Sequence, residues 1–132
     1  MRSVFDFARA VAELLSEYSA EVTAAPDYDV KSLNGLRVLV MPFGRKGKFA
    51  TRGIKQNEHL VTVAILQKCK DLDKLDQLVS KAEQIGDGLL GAKALGCAVV
   101  RVEWNPLYAV EELREKGLFV SVMNVVIEEF AQ

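Results

Sequence analysis

The sequence predicts an α+β domain, a mixed and mainly antiparallel four-strand sheet with two helices packed on one face, in the order α-β-β-α-β-β. Three observations predict it. Two segments carry apolar residues at helical spacing, four runs are dense in β-branched and aromatic residues, and glycine, proline and asparagine punctuate the chain between them. With 132 residues, one domain spanning 1–132 is expected, and a chain of this size hides roughly 70% of its unfolded surface. Half of the residues are apolar and 27% are charged, an ordinary globular composition.

Each element has its own warrant. Val4, Phe7, Ala8, Val11, Leu14, Leu15, Tyr18 and Val22 recur as one apolar stripe, with Arg9, Glu13, Ser16 and Glu17 opposite. Ser3 and Asp6 have the spacing of a capping box. This first helix should fade before Pro26, since the residue preceding a proline avoids helical geometry. Residues 27–35 read as a linker closed by an Asn34-Gly35 turn. Leu36–Met41 is a β-branched strand that Pro42 should stop.

Residues 43–57 then bring Gly44, Gly47 and Gly53 among Arg45, Lys46, Lys48, Arg52 and Lys55, and read as a basic loop. Its length is unusual for a strand connection. Fixing it costs on the order of 15–30 kcal/mol at about 1–2 kcal/mol per residue, and Phe43, Phe49 and Ile54 offer little apolar surface against that. The loop is therefore expected to be mobile until a partner orders it. His59–Gln67 is the second strand, apolar on both sides and so covered on both faces in its middle.

Asp71 is a good N-cap for a helix carried by Leu72, Leu75, Leu78, Val79, Ala82, Ile85 and Leu89. Ala98–Trp104 alternates, with Val100, Val102 and Trp104 on one face and Val99, Arg101 and Glu103 on the other. Asn105-Pro106 ends it. Leu107–Lys116 is a short acidic connection with at most a helical turn, closed by Gly117, and Leu118–Phe130 is the final strand.

The sequence argues against several chemistries. The net charge of −1 gives the whole molecule no strong field for nucleic acid or membrane. No stretch approaches the 18 or so apolar residues of a membrane span, and the start lacks a secretory signal, so a soluble cytosolic chain is expected. Cys69 and Cys97 stand far apart without a metal-binding motif, and Cys97 lies in a small apolar run that reads as buried. Gly86-Asp87-Gly88-Leu89-Leu90-Gly91 matches GxGxxG, but it closes a helix and precedes a strand, the reverse of the polarity a dinucleotide needs. Gly44-Arg45-Lys46-Gly47 matches an RNA-clamping GxxG, yet it joins strands rather than helices. Asp71, Asp73 and Asp76 suit the positive end of a helix better than an ion site. His59 is the only histidine, with no partner suggested by spacing, so no catalytic residue, cofactor or metal site is expected.

One stretch resembles a known family. Val102-Glu103-Trp104-Asn105-Pro106-Leu107-Tyr108, then the acidic Glu111-Glu112-Leu113-Arg114-Glu115-Lys116, then Gly117-Leu118-Phe119-Val120-Ser121-Val122 are similar to the tail-terminator (tail-completion) proteins of long-tailed bacteriophages and prophages. The likeness extends over nearly the full length, with Asn105 to Ser121 carrying most of it. It implies a structural virion protein of the tail, assembled in the bacterial host cytoplasm, rather than an enzyme. It further implies a ring, a hexamer of copies, that caps the tail tube, ends its polymerisation and meets a head-closure connector. DNA would pass through the lumen without sequence-specific binding.

In that setting Arg45, Lys46, Lys48, Arg52 and Lys55 form the partner-binding set, ordered against the tail-tube protein or lining the lumen, with tube contact favoured. Arg101, Glu103, Glu111, Glu112 and Arg114, with Lys116, are the candidate subunit interface, where mixed signs set register. Two other classes stay open. They are a nucleic-acid-binding module that uses the basic loop, and an enzyme or small-ligand domain with a polar pocket.

Overall fold

The computed structural model describes residues 2–24, 33, 35–51 and 53–131. Its helices are α1 (Val4–Leu14), α2 (Leu72–Leu89) and α3 (Val110–Lys116), with a 3-10 turn at Ser16–Tyr18. Its strands are β1 (Glu21–Val22), β2 (Arg37–Thr51), β3 (Ile54–Lys68), β4 (Lys93–Ala94), β5 (Cys97–Trp104) and β6 (Leu118–Ala131). They form one six-stranded sheet in the order β1-β2-β3-β6-β5-β4. The β1–β2 pair is parallel and the others are antiparallel.

The α+β class and the mixed, mainly antiparallel sheet stand, but the expected four strands are six and the two helices are three. The additions are small. β1 and β4 are two residues each, too short to show an alternation, and each exists only through a neighbouring strand. α3 is seven residues long and ends at Gly117, whose φ of +63° suits a residue without Cβ. The linker expected over 27–35 lies for the most part outside the described residues, within which Leu33 is buried.

α1 begins as its sequence dictates. Ser3 accepts from the Asp6 amide at 3.2 Å, and Asp6 accepts from the Ser3 amide at 2.8 Å, which closes a capping box. α2 starts the same way, Asp71 accepting from the Lys74 amide at 2.8 Å. Both helices press on one face of the sheet. Phe7, Val11, Leu78, Ala82 and Ile85 meet Val38, Val40, Val61, Val63, Ile65, Phe119, Met123 and Val125 there.

A second cluster of Leu33, Leu39, Ala64, Leu66 and Leu118 lies on the other side. Val63, Ala64, Ile65 and Leu66 are all buried, so the middle of β3 is covered on both faces as its composition implies.

Two bulges correct the sequence reading. Between Val99 and Arg101 the β5–β6 register shifts, which moves Val99 onto the helix-bearing face with Val102 and Trp104 and leaves Val100 41% exposed. The alternation read from sequence had put Val99 on the opposite face. Pro42 does not stop β2 either. The chain bulges between Pro42 and Gly44 and continues as strand to Thr51. β1 pairs with β2 at Leu39 and Val40, so no ladder bond is asked of the proline nitrogen on that edge.

Candidate assembly arm

The segment expected to be a loop is a β-hairpin. β2 and β3 pair from Arg37↔Leu66 to Thr51↔Ile54, with only residues 52–53 between the strands. Gly53 takes φ +75°, a conformation natural to glycine. β6 adds a third strand, pairing through His59↔Ile127 and Gln56↔Phe130 to Lys55↔Ala131. Backbone bonds with neighbours supply what apolar content could not. Beyond Arg45, β2 runs six more residues to Thr51, roughly 20 Å of reach at about 3.3 Å per residue.

The arm is rooted in a polar cluster that no spacing along the chain reveals. His59 is fully buried and stacks on Phe7 of α1, ring centroids 4.1 Å apart. Its Nε2 lies 3.1 Å from Glu129 Oε1, and Nδ1 has no hydrogen-bond partner among the described residues. Arg2 approaches Glu129 at 3.9 Å and also donates to the Leu95 carbonyl and to Cys97 Sγ. Glu129 is seventy positions from His59, and only the β3–β6 register brings them together. A histidine sealed from solvent and engaged in this way is not placed to exchange protons with a substrate. Cys97, read as buried from its apolar run, is half-buried at this cluster, whereas Cys69 is buried; both are free thiols.

Past His59, the positions that share its face are Arg45, Gly47, Phe49, Lys55 and Asn57; all are exposed except Asn57, which is half-buried. Phe49, Gly47, Lys55 and Asn57 outline an open depression of about 260 Å³. Lys46 falls on the opposite face and is exposed as well. The side chain of Lys48 and all of Arg52 lie outside the described residues. Phe43 at the bulge, Phe49 and Phe130 are 69%, 75% and 57% exposed. The arm therefore combines cations with aromatic surface that no helix among the described residues covers. The phenylalanines are what a reading centred on charge passed over.

The second predicted set is divided between two elements. Arg101 on β5 pairs with Glu103 at 2.9 Å and approaches Glu58 at 3.9 Å. On α3, Glu111 pairs with Arg114 at 3.4 Å and Glu112 with Lys116 at 3.1 Å. Exposed pairs of this kind contribute little to stability. The Gly86–Gly91 motif sits at the end of α2, as its polarity requires, and Asp71 serves as a cap. Among the described residues no three His, Cys, Asp or Glu side chains form a group that could hold a metal ion, and no helix is long and apolar enough to cross a membrane.

No family model matches the chain, nor does any curated protein. Among solved structures it is similar to a chain of the virion of a native gene transfer agent particle, with 16% identity and a TM-score of 0.47 over 96% of this chain and 92% of that one. It is also similar to the sheath/tube terminator of an extracellular contractile injection system in the extended state, with 10% identity and a TM-score of 0.45. That match covers 98% of this chain and 57% of the other, so the chain spans little more than half of that terminator. What this chain is similar to is thus one component of a virion and one of an injection machine.

Proposed function

We propose that the protein is a structural component of a phage-type tail, assembling as a ring of copies that caps the tail tube, ends its polymerisation and meets the head-side connector. The observation that carries this reading is the arm. Five cations and no acid lie between residues 43 and 57, and the described part of that segment belongs to a three-stranded projection with three exposed phenylalanines. Exposed aromatic surface beside cations is typical of protein–protein contacts. The likeness of Asn105–Ser121 to tail-terminator proteins points the same way. In this reading the partners are copies of the chain in a hexamer, tail-tube protein and head-closure connector, with DNA passing through the lumen. The site of action is the virion tail, assembled in the host cytoplasm.

Arg45, Lys46, Lys48, Arg52 and Lys55 are the contact set of the arm, whose tip takes its final position against a partner. Arg101, Glu103, Glu111, Glu112 and Arg114 set register between subunits by exchanging their internal pairs for pairs across the ring. Negative-stain microscopy of the protein added to assembling tail tubes tests the reading. Tubes of defined length with a density at one end are expected, and tubes that keep growing, bare-ended, overturn it.

The same cations and phenylalanines favour a second reading, a module that grips single-stranded nucleic acid by stacking and phosphate attraction. Retention of single strands at physiological salt by the isolated chain is its signature.

A further inference from the structure

Two stretches of main chain, at opposite sides of the sheet, carry hydrogen-bonding groups that no described strand receives. β1 covers the outer edge of β2 only at Leu39 and Val40, where the Thr23 amide donates to the Val40 carbonyl at 2.9 Å. Val40 therefore turns its N–H and C=O away from β3, and antiparallel pairing alternates that direction along a strand. The β3 partners of Val40, Gly47 and Phe49 are Val63, Asn57 and Lys55, which stand at even spacings. Gly47 and Phe49 thus point their main-chain groups outward too, and among the described residues no strand lies beyond them.

β5 is in the same condition on the other side. β4 pairs only with Cys97 and Ala98, and Val99 exchanges bonds with Gly91 and Ala92. Beyond the bulge the Asn105 amide donates inward to the Val122 carbonyl at 2.7 Å. Arg101 and Glu103 share that inward phase, which leaves Val102 and Trp104 facing outward with no described strand beside them. An open row of N–H and C=O groups is a template for one kind of ligand, an extended strand.

The two edges suit each other. With β3 and β6 between them in antiparallel register, β2 and β5 run in opposite directions. A second copy set alongside, helices on the same side, brings its β5 antiparallel to the first copy's β2. Each edge also carries an apolar residue at its bulge, Phe43 at 69% and Val100 at 41% exposure. Lys46 is a charge that keeps an edge from pairing with any strand it meets, and Glu103 supplies the opposite sign on the corresponding face.

We propose that β2 of one copy pairs with β5 of the next, Phe49 opposite Val102 and Gly47 opposite Trp104, so that the sheet runs on from copy to copy. Phe49 and Val102 then make an aromatic–β-branched pair on the helix-bearing face, and Glu103 comes diagonal to Lys46 on the other. Gly47 leaves room beside the indole. The hairpin turn falls next to Val100, just short of the stretch that β4 covers.

Within one copy Gly47 lies level with Glu129, through Asn57, whereas Trp104 lies level with Met123. Each step to the next copy therefore shifts the ladder by about six residues across the strands β2, β3, β6 and β5, a tilt of roughly 45° at about 3.3 Å per residue and about 4.8 Å per strand. Closed barrels tilt their strands by about 35–45°, so the shift suits closure. The contact is heterologous, and a ring built on it leaves neither edge exposed. The inference rests on the reading that copies of this chain form a ring, and it names the strands that join them.

Cysteine cross-linking of the full chain tests it. Phe49→Cys and Val102→Cys are made singly and together, each with Cys97→Ser to remove the half-buried native thiol; Cys69 is buried. Circular dichroism confirms that each variant folds. Opposed residues of a hydrogen-bonded pair stand about 5.5 Å apart at Cα, inside the range of a disulfide. Under mild oxidation a mixture of the two single variants is expected to give linked dimers and nothing larger. Either single variant alone should give none, and the double variant should give a ladder that ends at a closed ring.

Phe49→Pro supplies a second measurement. It removes the outward N–H without taking a bond from β3, a change that edge strands tolerate. In sedimentation velocity the wild type is expected to self-associate, and Phe49→Pro about tenfold more weakly or not at all. A mixture without linked dimers overturns the inference, as do links formed as readily by one single variant alone. A wild type monomeric throughout, or a Phe49→Pro chain that associates like the wild type, overturns it too. Tube capping is scored separately, so tubes still capped by a chain that fails these tests would leave a ring built on other surfaces standing.

Discussion

Gly86 lies directly under the indole of Trp104, where a Cβ would come 2.2 Å from Cζ2. Trp104 Nε1 donates to the Ala82 carbonyl one turn earlier, at 3.4 Å. The glycine that imitated a nucleotide-binding motif is thus a seat for the tryptophan, joining the end of α2 to β5. Gly86→Ala is expected to destabilise the fold by about 1–3 kcal/mol through overpacking. Gly88 is in the same helix and has nothing within 4 Å of its Cβ position, so Gly88→Ala should be stabilising by about 0.5–1 kcal/mol. Chemical denaturation of both variants checks the opposite signs.

The root of the arm predicts a coupled pair. Removing the Glu129 carboxylate as alanine leaves the buried Nε2 of His59 unpaired, at a cost of about 1–3 kcal/mol. His59→Ala also loses the stack on Phe7 and should cost more. In a double-mutant cycle the two should couple by about 0.5–3 kcal/mol. Strict additivity in the measured unfolding free energies would show that the contact is energetically silent.

Amide exchange should be graded along β2. Val38 and Val40 are buried beside β1, whereas the distal half of β2 has β3 on one side and, among the described residues, no strand on the other. Protection is expected to be strong through Val61–Ile65 and to fall from Arg45 toward Phe49. Adding a partner that receives the arm should raise protection there. Uniform protection of the free chain out to the turn would count against an arm that settles on contact.

The capping box gives a pH dependence. Hydrogen bonding from the Ser3 backbone amide, the largest cause, holds the Asp6 carboxyl below its ordinary value of 3.8. A group whose folded pKa is depressed stabilises the fold above its unfolded value and loses that contribution as pH falls through the folded one. The Asp6 contribution is therefore complete above about pH 4 and fades below it. Asp6→Asn should flatten the acid limb of a stability–pH profile, and Ser3→Ala should cost about 1 kcal/mol at neutral pH. An unchanged acid limb in Asp6→Asn would place the acid sensitivity elsewhere.

Local patterns alone determined the two long helices with their caps at Ser3 and Asp71, the strand cores at Val38–Val40 and Val61–Leu66, and the placement of Gly86–Gly91 at a helix end. Those features depend on neighbours a few residues apart, and helical spacing, capping chemistry and β-branched runs record such neighbours in the chain. The rest required the assembled sheet. Gly44 and Gly47 read as loop punctuation, yet they stay in strand because β3 and β6 pair alongside. The bulges at Phe43 and Val100 shift the side-chain phase in a way alternation cannot reveal, and His59 finds Glu129 across two strands distant in sequence. The free edges of β2 and β5 come to lie on opposite sides of one sheet only when β3 and β6 have paired between them. Ladder pairing and packing join residues far apart along the chain, so tertiary structure alone decided where its charged and aromatic surfaces stand.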